Sequence, residues 1–164
     1  MPRTRTTPAR ARVLSQKAAA LQVRRAQRRG ERVVFTSGCF DLLHVGHVRS
    51  LEEAATFGDR LVVGVNADAS VRRLKGRGRP IVPARQRAEM LAALRAVDWV
   101  VIFAGATPRG ALRALAPDVF AKGGDWPLDV LLANDVPAGH GIEVRRLRQI
   151  PGVRTTEIVK RARR

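Results

Sequence analysis

The sequence has little of three things: cysteine, aromatic residues and long apolar runs. Cys39 is the only cysteine in 164 residues, so no disulfide can form within the chain, and we expect a reducing, cytoplasmic setting. No apolar run approaches the roughly 20 residues of a membrane-spanning helix, and the basic start lacks the apolar stretch of a secretory signal. No membrane partner is therefore expected. Aromatic residues make up only 4% of the chain and tyrosine is absent, which leaves few side chains to stack on nucleic-acid bases.

Acidic residues are also scarce, and the charge is unevenly spread. The chain has 31 lysines and arginines against 14 acidic residues, a net charge of +17, which attracts polyanions such as nucleic acid or phosphorylated small molecules. Residues 1–30 contain nine basic residues and no acidic one. We interpret them as a basic N-terminal extension, either helical over residues 11–29 or a solvated, disordered tail. Residues 31–164 then form a single domain.

From residue 32 onward, short apolar runs alternate with helical patterns. The runs predict strands at residues 32–36, 59–67, 98–103, 118–122 and 142–147. Helices are predicted from Gly46, over residues 83–97, 107–115 and 128–134, and from Thr155. This alternation is typical of an α/β fold, so we predict a Rossmann-like parallel sheet of about five strands flanked by helices. Ligands bind such sheets at the carboxyl ends of the strands.

Two histidines follow the first predicted strand, in His44-Val45-Gly46-His47. A spacing of three places both imidazoles on the same side of the first turn of a helix. Gly46 has no side chain, so a ligand can approach the backbone there. The N–H groups and the positive dipole at a helix start favour phosphate. Two imidazole donors at that place would stabilise the charge that develops during phosphoryl-type transfer.

Other interpretations of this loop are weaker. Cys39, His44 and His47 would supply three zinc ligands, but a structural site normally needs a fourth. The histidines would alternatively be incidental polar residues at a helix start. A P-loop is excluded, because Ala111-Leu112 stands where Lys-Ser/Thr is required. A dinucleotide fingerprint is also excluded, since residues 76–78 supply only a lone Gly-x-Gly.

Three motifs make the resemblance to a known family specific. GCFDLLHVGH at residues 38–47, LKGRGRP at 74–80 and DVFAKGGDW at 118–126 resemble the HxGH nucleotidyltransferase superfamily. Within that superfamily the similarity is greatest to the heptose 1-phosphate adenylyltransferase (ADP-heptose synthase) domain, over about residues 31–163. The resemblance implies transfer of AMP from ATP to a sugar 1-phosphate, here D-glycero-D-manno-heptose 1-phosphate, with release of pyrophosphate. It also implies Mg²⁺ carried with ATP and no metal ion held by the protein.

The resemblance assigns roles residue by residue. His44 and His47 would grip the ATP phosphates, and Lys75 would neutralise charge around the α-phosphate. The implied nucleotide-binding residues are Ser37, Gly38, Phe40, Asp41, Gly46, Asn66, Asp68, Lys122, Gly123, Asp125, Thr155 and Thr156. The chain departs from the family pattern at the last of these sites, where Arg154 replaces a usual serine and Val153 a common isoleucine.

Several of these positions also have a purely structural interpretation. Lys75 lies in a run of basic residues that would form a solvated face. Asp68 follows a strand and would serve equally well as a helix cap. An ordinary turn would explain the glycines at 123 and 124, but it does not explain a lysine at a strand end.

The motifs leave the substrates and partners open. A cytidylyltransferase acting on glycerol 3-phosphate, or an FMN adenylyltransferase, would use the same phosphate-binding residues. A basic nucleic-acid-binding module is the alternative of another class, but no known binding motif supports it. The resemblance further implies a separate sugar kinase, since 164 residues leave no space for one, and it allows a homo-oligomer.

Overall fold

A computed structural model describes residues 7–124, 127–148 and 154–162. The strands are β1 (Val13–Leu14), β2 (Val33–Gly38), β3 (Arg60–Asn66), β4 (Trp99–Phe103), β5 (Val119–Gly123) and β6 (Glu143–Leu147). The α-helices are α1 (Gln16–Arg28), α2 (Val45–Ala55), α3 (Asp68–Lys75), α4 (Ala84–Ala93), α5 (Arg109–Leu115), α6 (Leu128–Asn134) and α7 (Thr155–Ala162). No helix in these residues is long and apolar enough to cross a membrane.

The six strands form one sheet in the order β1-β4-β3-β2-β5-β6, and every neighbouring pair is parallel. This confirms the predicted α/β fold, and the five predicted strands correspond to β2 through β6. The apolar runs of the central strands β2 and β3 are buried on both faces, as in Val33-Val34-Phe35, because helices cover both sides of a parallel sheet. The sequence analysis missed β1, since a strand of two residues has no apolar pattern to detect.

The sheet has its topological switch point at β2. The chain runs from β2 through β3 to β4 on one side, then crosses to β5 and β6 on the other. The connections therefore leave the carboxyl ends of β2 and β5 in opposite directions, which opens a crevice between them. The loop that carries both histidines and the segment that begins at Lys122 lie at these two ends.

Helices cover the sheet in two layers. Residues of α1 and α5 pack with Phe35 and Phe120 on one face. Residues of α2 and α4, including Leu51 and Leu91, pack on the other face. Both layers bury aliphatic side chains completely, so the sheet is a rigid platform for the loops at its carboxyl edge.

The N-terminal segment contains a helix, which was one of the two alternatives for residues 1–30, and it packs on the sheet rather than forming a solvated tail. Strand β1 pairs with β4 through Val13 and Leu14, and α1 buries Ala19, Val23 and Ala26 completely. These residues are spaced by four and three, so they form one apolar stripe that faces the sheet. The surrounding arginines hide this short stripe in the sequence. The helix begins at Gln16, where the Ser15 side chain accepts a hydrogen bond from the Ala18 N–H at 3.2 Å.

Helix α3 was also not predicted. Its eight residues, DASVRRLK, bury only Ser70 and Val71. Two buried positions are too few to distinguish a helix from a basic loop in the sequence. The helix ends at Gly76, whose φ of 87° ends the regular backbone. Lys75 is thereby placed at the last turn of a helix rather than in a free run of charge.

We expect the substitution Val23→Asp to destabilise the protein by roughly 3 kcal/mol or more, because it buries an unpaired carboxylate against the sheet. Arg24→Asp is the matched control, since the neighbouring side chain is exposed and its substitution should change stability by no more than about 0.5 kcal/mol. Urea denaturation followed by circular dichroism measures both. Equal unfolding midpoints for the two variants would contradict the packing of α1 on the sheet.

Candidate active site

A cavity of about 1020 Å³ opens at the carboxyl edge of the sheet. The residues proposed from the sequence that line it are Ser37, Gly38, Phe40, Asp41, His44, His47, Asn66, Lys75, Lys122, Thr155 and Thr156. Gly46, Asp68 and Gly123 are not among the lining residues, and Asp125 lies outside the described residues. The cavity therefore brings together residues from segments that are far apart in the sequence.

The two histidines lie face to face at the start of α2. Their ring centroids are 3.7 Å apart with an angle of 18° between the planes. His44 is the N-cap residue of α2, with an extended backbone and no side-chain cap hydrogen bond. The predicted placement of both imidazoles on one side of the first turn is thus what the structure shows. The helix start supplies free N–H groups beside them.

Three buried polar atoms beside the cavity have no hydrogen-bond partner in the described part of the chain: Ser37 Oγ, His44 Nδ1 and His47 Nδ1. Buried polar atoms are rarely left without a partner, because each one costs free energy. All three belong to residues that line the cavity. The cavity therefore lies beside three polar groups that the described residues leave unsatisfied.

Burial keeps the histidines uncharged. The pKa of His47 is lowered from 6.5 to about 4, first by burial and then by the charge of the neighbouring His44. Burial also lowers the pKa of His44. At neutral pH each ring is therefore an uncharged imidazole with one N–H donor and one acceptor nitrogen. An anion brought into the cavity would favour protonation of both rings.

Phe40 is held in an unusual conformation just after the carboxyl end of β2. Its φ of 47° lies in the left-handed region, which non-glycine residues adopt rarely. Its ring meets His47 edge-on, with 5.2 Å between centroids. A Cβ added at Gly38 would lie 3.1 Å from the same ring, so the absence of a side chain there lets Phe40 lie against the strand end.

Asp41 is an internal anchor of the site. Its Oδ1 accepts hydrogen bonds from the backbone N–H groups of Ile81 and Val82 at 2.8 and 3.0 Å, and its Oδ2 accepts one from Arg79 Nε at 2.5 Å. The residue is only 1% exposed. The carboxylate therefore joins the loop after β2 to the segment before α4, and its oxygens are occupied by the protein.

Arg87 is a second anchor, which sequence reasoning missed. Its guanidinium is fully buried and donates to Cys39 O at 2.5 Å, Val82 O at 2.8 Å and Asp68 Oδ1 at 2.6 Å. In the sequence this arginine stands directly before Ala88, on the apolar side of α4. The pattern of apolar and polar residues alone does not explain why a charged residue lies on that side.

Asp68 caps a helix, as its structural interpretation predicted, but the helix is a neighbouring one. It is the first residue of α3, whose N-cap is Ala67, so it does not cap its own helix. Its Oδ1 accepts a hydrogen bond from the N–H of Ala84, the first residue of α4, at 2.9 Å. Together with its bond to Arg87, this carboxylate caps the neighbouring helix, and the structure gives it no place among the lining residues of the cavity.

Asn66 lines the cavity but uses its amide internally. Its Nδ2 donates to Ser70 Oγ at 3.1 Å and to Gly105 O at 3.4 Å, and its Oδ1 lies 3.9 Å from Cys39 Sγ.

Within the described residues no group of three or more His, Cys, Asp or Glu side chains is placed to hold a metal ion. The alternative zinc site of Cys39, His44 and His47 is thus not formed in this part of the chain.

Basic side chains surround the cavity from several elements. They are Lys75, Arg79, Lys122 and Arg154. Lys122 Nζ lies 3.8 Å from Asp135 Oδ2 and 5.9 Å from the centroid of the Phe120 ring. Arg154, the departure from the family pattern, lines the cavity beside Thr155 and Thr156. The excess of positive charge favours a ligand that carries several negative charges.

The lowered pKa of His47 predicts a loss of stability in mild acid. Between pH 6.5 and 4 the unfolded chain binds a proton on this histidine and the native protein does not, so the free energy of unfolding falls as pH falls. The slope for one such group is at most about 1.4 kcal/mol per pH unit. Urea midpoints between pH 7.5 and 4.5 measure it, and His47→Gln should lose less stability over this range than the wild type.

The exposed His140 supplies the control for this measurement. His140→Gln should follow the wild-type curve. A His47→Gln variant whose midpoint falls as steeply with pH as that of the wild type would contradict the burial of a neutral imidazole.

Comparison with known proteins agrees with this geometry. The bifunctional protein HldE of Alcanivorax borkumensis is 48% identical over 151 residues, which are 92% of this chain and 32% of that protein. HldE of Azotobacter vinelandii is 51% identical over 144 residues, 88% of this chain and 30% of that protein. This chain thus spans about a third of the length of the curated relatives it matches.

A solved structure and a family model complete the comparison. The crystal structure of the lipopolysaccharide core biosynthesis protein from Thermoplasma volcanium GSS1 has a TM-score of 0.61 and 23% identity. It covers 74% of this chain and 99% of that protein, and shows a shared fold. The cytidylyltransferase-like family model matches residues 35–161, from β2 to the last helix, and so includes the stacked histidines and most of the cavity. The chain belongs to the cytidylyltransferase-like family.

Proposed function

We propose that this protein transfers AMP from ATP to a sugar 1-phosphate, with D-glycero-D-manno-heptose 1-phosphate as the acceptor. The products are then ADP-heptose and pyrophosphate. The observation that carries the proposal is the stacked pair of neutral imidazoles at the start of α2, each with an unpartnered buried nitrogen beside a cavity rimmed by basic side chains. The LKGRGRP and KGGDW motifs and the similarity to HldE proteins favour the heptose acceptor.

The triphosphate is proposed to bind at the N-terminus of α2. Free N–H groups and the helix dipole at that end stabilise phosphate oxygens. His44 and His47 each donate one N–H there without the cost of removing a charge from water. Because the site is assembled before substrate arrives, the donors do not reorganise as charge builds up on the phosphate.

The reaction proposed is an in-line displacement at the α-phosphorus. A phosphate oxygen of the sugar 1-phosphate forms a bond to the α-phosphorus, and the bond from that phosphorus to the bridging oxygen of the β-phosphate breaks. The electron pair leaves with pyrophosphate, so no covalent intermediate with the protein is needed. Lys75 and Lys122 would offset charge on the reacting phosphates, and Mg²⁺ would enter as part of the ATP substrate.

A sugar 1-phosphate carries a phosphoryl group on its anomeric oxygen. We propose that a sugar kinase supplies it. The cavity of about 1020 Å³ lies at the upper end of the range for small-molecule pockets, and we propose that it holds both substrates.

His44→Ala and His47→Ala are each expected to lower kcat by on the order of 10²–10³, the usual cost of removing a donor to a transition state. The reason is that each imidazole stabilises charge that appears only as the bond to pyrophosphate breaks. Pyrophosphate release from ATP and heptose 1-phosphate measures the rate. His140→Ala serves as the control, because this third histidine is exposed and does not line the cavity. Retention of the wild-type rate by both cavity variants would refute the mechanism.

The substrates are tested by a panel of donors and acceptors. ATP and CTP are each combined with heptose 1-phosphate, glycerol 3-phosphate and FMN, and pyrophosphate release is measured. We expect ATP with heptose 1-phosphate to exceed every other pair by at least an order of magnitude. Turnover confined to CTP with glycerol 3-phosphate, or to ATP with FMN, would instead assign the chain to that reaction.

A further inference from the structure

Two carboxylates are found among the described residues that line the cavity, and they differ in what they bind. Asp41 accepts three hydrogen bonds from Arg79 and from the backbone N–H groups of Ile81 and Val82. Asp135 has one polar side-chain partner in the described part of the chain, Lys122 Nζ at 3.8 Å. That separation exceeds hydrogen-bond distance. The oxygens of Asp135 therefore keep their capacity to accept hydrogen bonds from a ligand.

The place of Asp135 is unfavourable for a carboxylate that serves stability alone. Its side chain is 11% exposed, and burial raises its pKa, although Lys122 and Arg109 act to lower it. It is also the C-cap residue of α6, where the negative end of the helix dipole opposes a negative charge. Asp135 lies beside a ligand cavity although burial and the helix dipole both disfavour its negative charge, so it is a candidate for a functional role.

The chemistry of a carboxylate decides which part of a ligand it binds. It repels phosphate groups, which the basic side chains of the cavity attract. It accepts hydrogen bonds from hydroxyl groups, and two neighbouring hydroxyls of a sugar match its two oxygens. Lys122, at the end of β5, lies beside Asp135. The lysine can bind a phosphate on one side, while Asp135 keeps the other side free for hydroxyl groups.

We propose that Asp135 is a specificity-determining residue of this cavity, which accepts hydrogen bonds from neighbouring hydroxyls of a bound sugar. The sugar is the ribose of the nucleotide or the acceptor sugar, since both present the same chemistry. This inference rests on the proposed function, because it assumes that a sugar-containing phosphate ligand occupies the cavity.

The test compares hydroxyl-bearing ligands with deoxy ligands in the wild type and in Asp135→Ala. Kd values are measured by calorimetry for ATP, 2′-deoxyATP, 3′-deoxyATP, heptose 1-phosphate and its monodeoxy analogues. Asp135→Ala should weaken either ATP or heptose 1-phosphate by about 10- to 100-fold, the usual effect of losing hydrogen bonds to a charged group. The affected ligand identifies which sugar is bound.

The deoxy ligands distinguish direct contact from an effect through Lys122. Removing the contacted hydroxyl should weaken binding to the wild type but should cost Asp135→Ala nothing further, as in a double-mutant cycle. Equal losses in both proteins would overturn the assignment, as would Asp135→Ala binding every ligand within twofold of the wild type. Asp129→Ala, on the exposed side of the same helix, is the matched control.

Two further measurements keep the outcome clear. If Asp135→Ala unfolds, Asp135→Asn replaces it in the test. Asparagine keeps the size of the side chain and one acceptor oxygen, so this variant should show an intermediate loss of ligand affinity. Pyrophosphate release by the wild type from ATP and heptose 1-phosphate is measured separately. Its absence would refute the proposed function alone, while the binding data still decide the role of Asp135 with the ligands that the wild type binds.

Discussion

The buried guanidinium of Arg87 is the interaction on which the site depends. It joins the loop after β2, through Cys39 O, to Asp68 at the start of α3 and to Val82 before α4. Loss of any one partner would leave a buried charge incompletely satisfied, which is costly. The loop that carries Phe40 and His44 is therefore fixed to the starts of two helices, α3 and α4, close to the position of the imidazoles.

The polar groups around the cavity fall into two sets that their hydrogen bonds distinguish. Asp41, Asn66 and Asp68 are satisfied by other parts of the protein. Ser37 and the two histidines carry buried atoms that are not satisfied by the described residues. The first set holds segments together beneath the site, and the second set lies beside the cavity without a partner among the described residues. Residue type alone does not separate the two sets, because an aspartate or asparagine suits either role.

The sequence was sufficient for features that depend on local pattern. Short apolar runs identified β2 through β6, and the spacing of His44 and His47 predicted that their rings share one side of a helical turn. Features that depend on distant partners were not accessible. The burial of Arg87 requires three acceptors from three segments. The exposure of Asp135 to the cavity depends on how α6 packs, and α1 hides a narrow apolar stripe among arginines. The roles assigned to Lys75, Thr155 and Thr156 stay predictions.

The two-residue strand β1 has a consequence for how copies of this protein meet. It pairs with Val100 and Val101 of β4, so the outermost strand of this side of the sheet is too short to offer a long row of unpaired backbone groups. Long, flat outer strands are templates for joining sheets from different molecules. A net charge of +17 adds mutual repulsion between copies, so both the short strand and the charge act against pairing of two molecules along this border of the sheet.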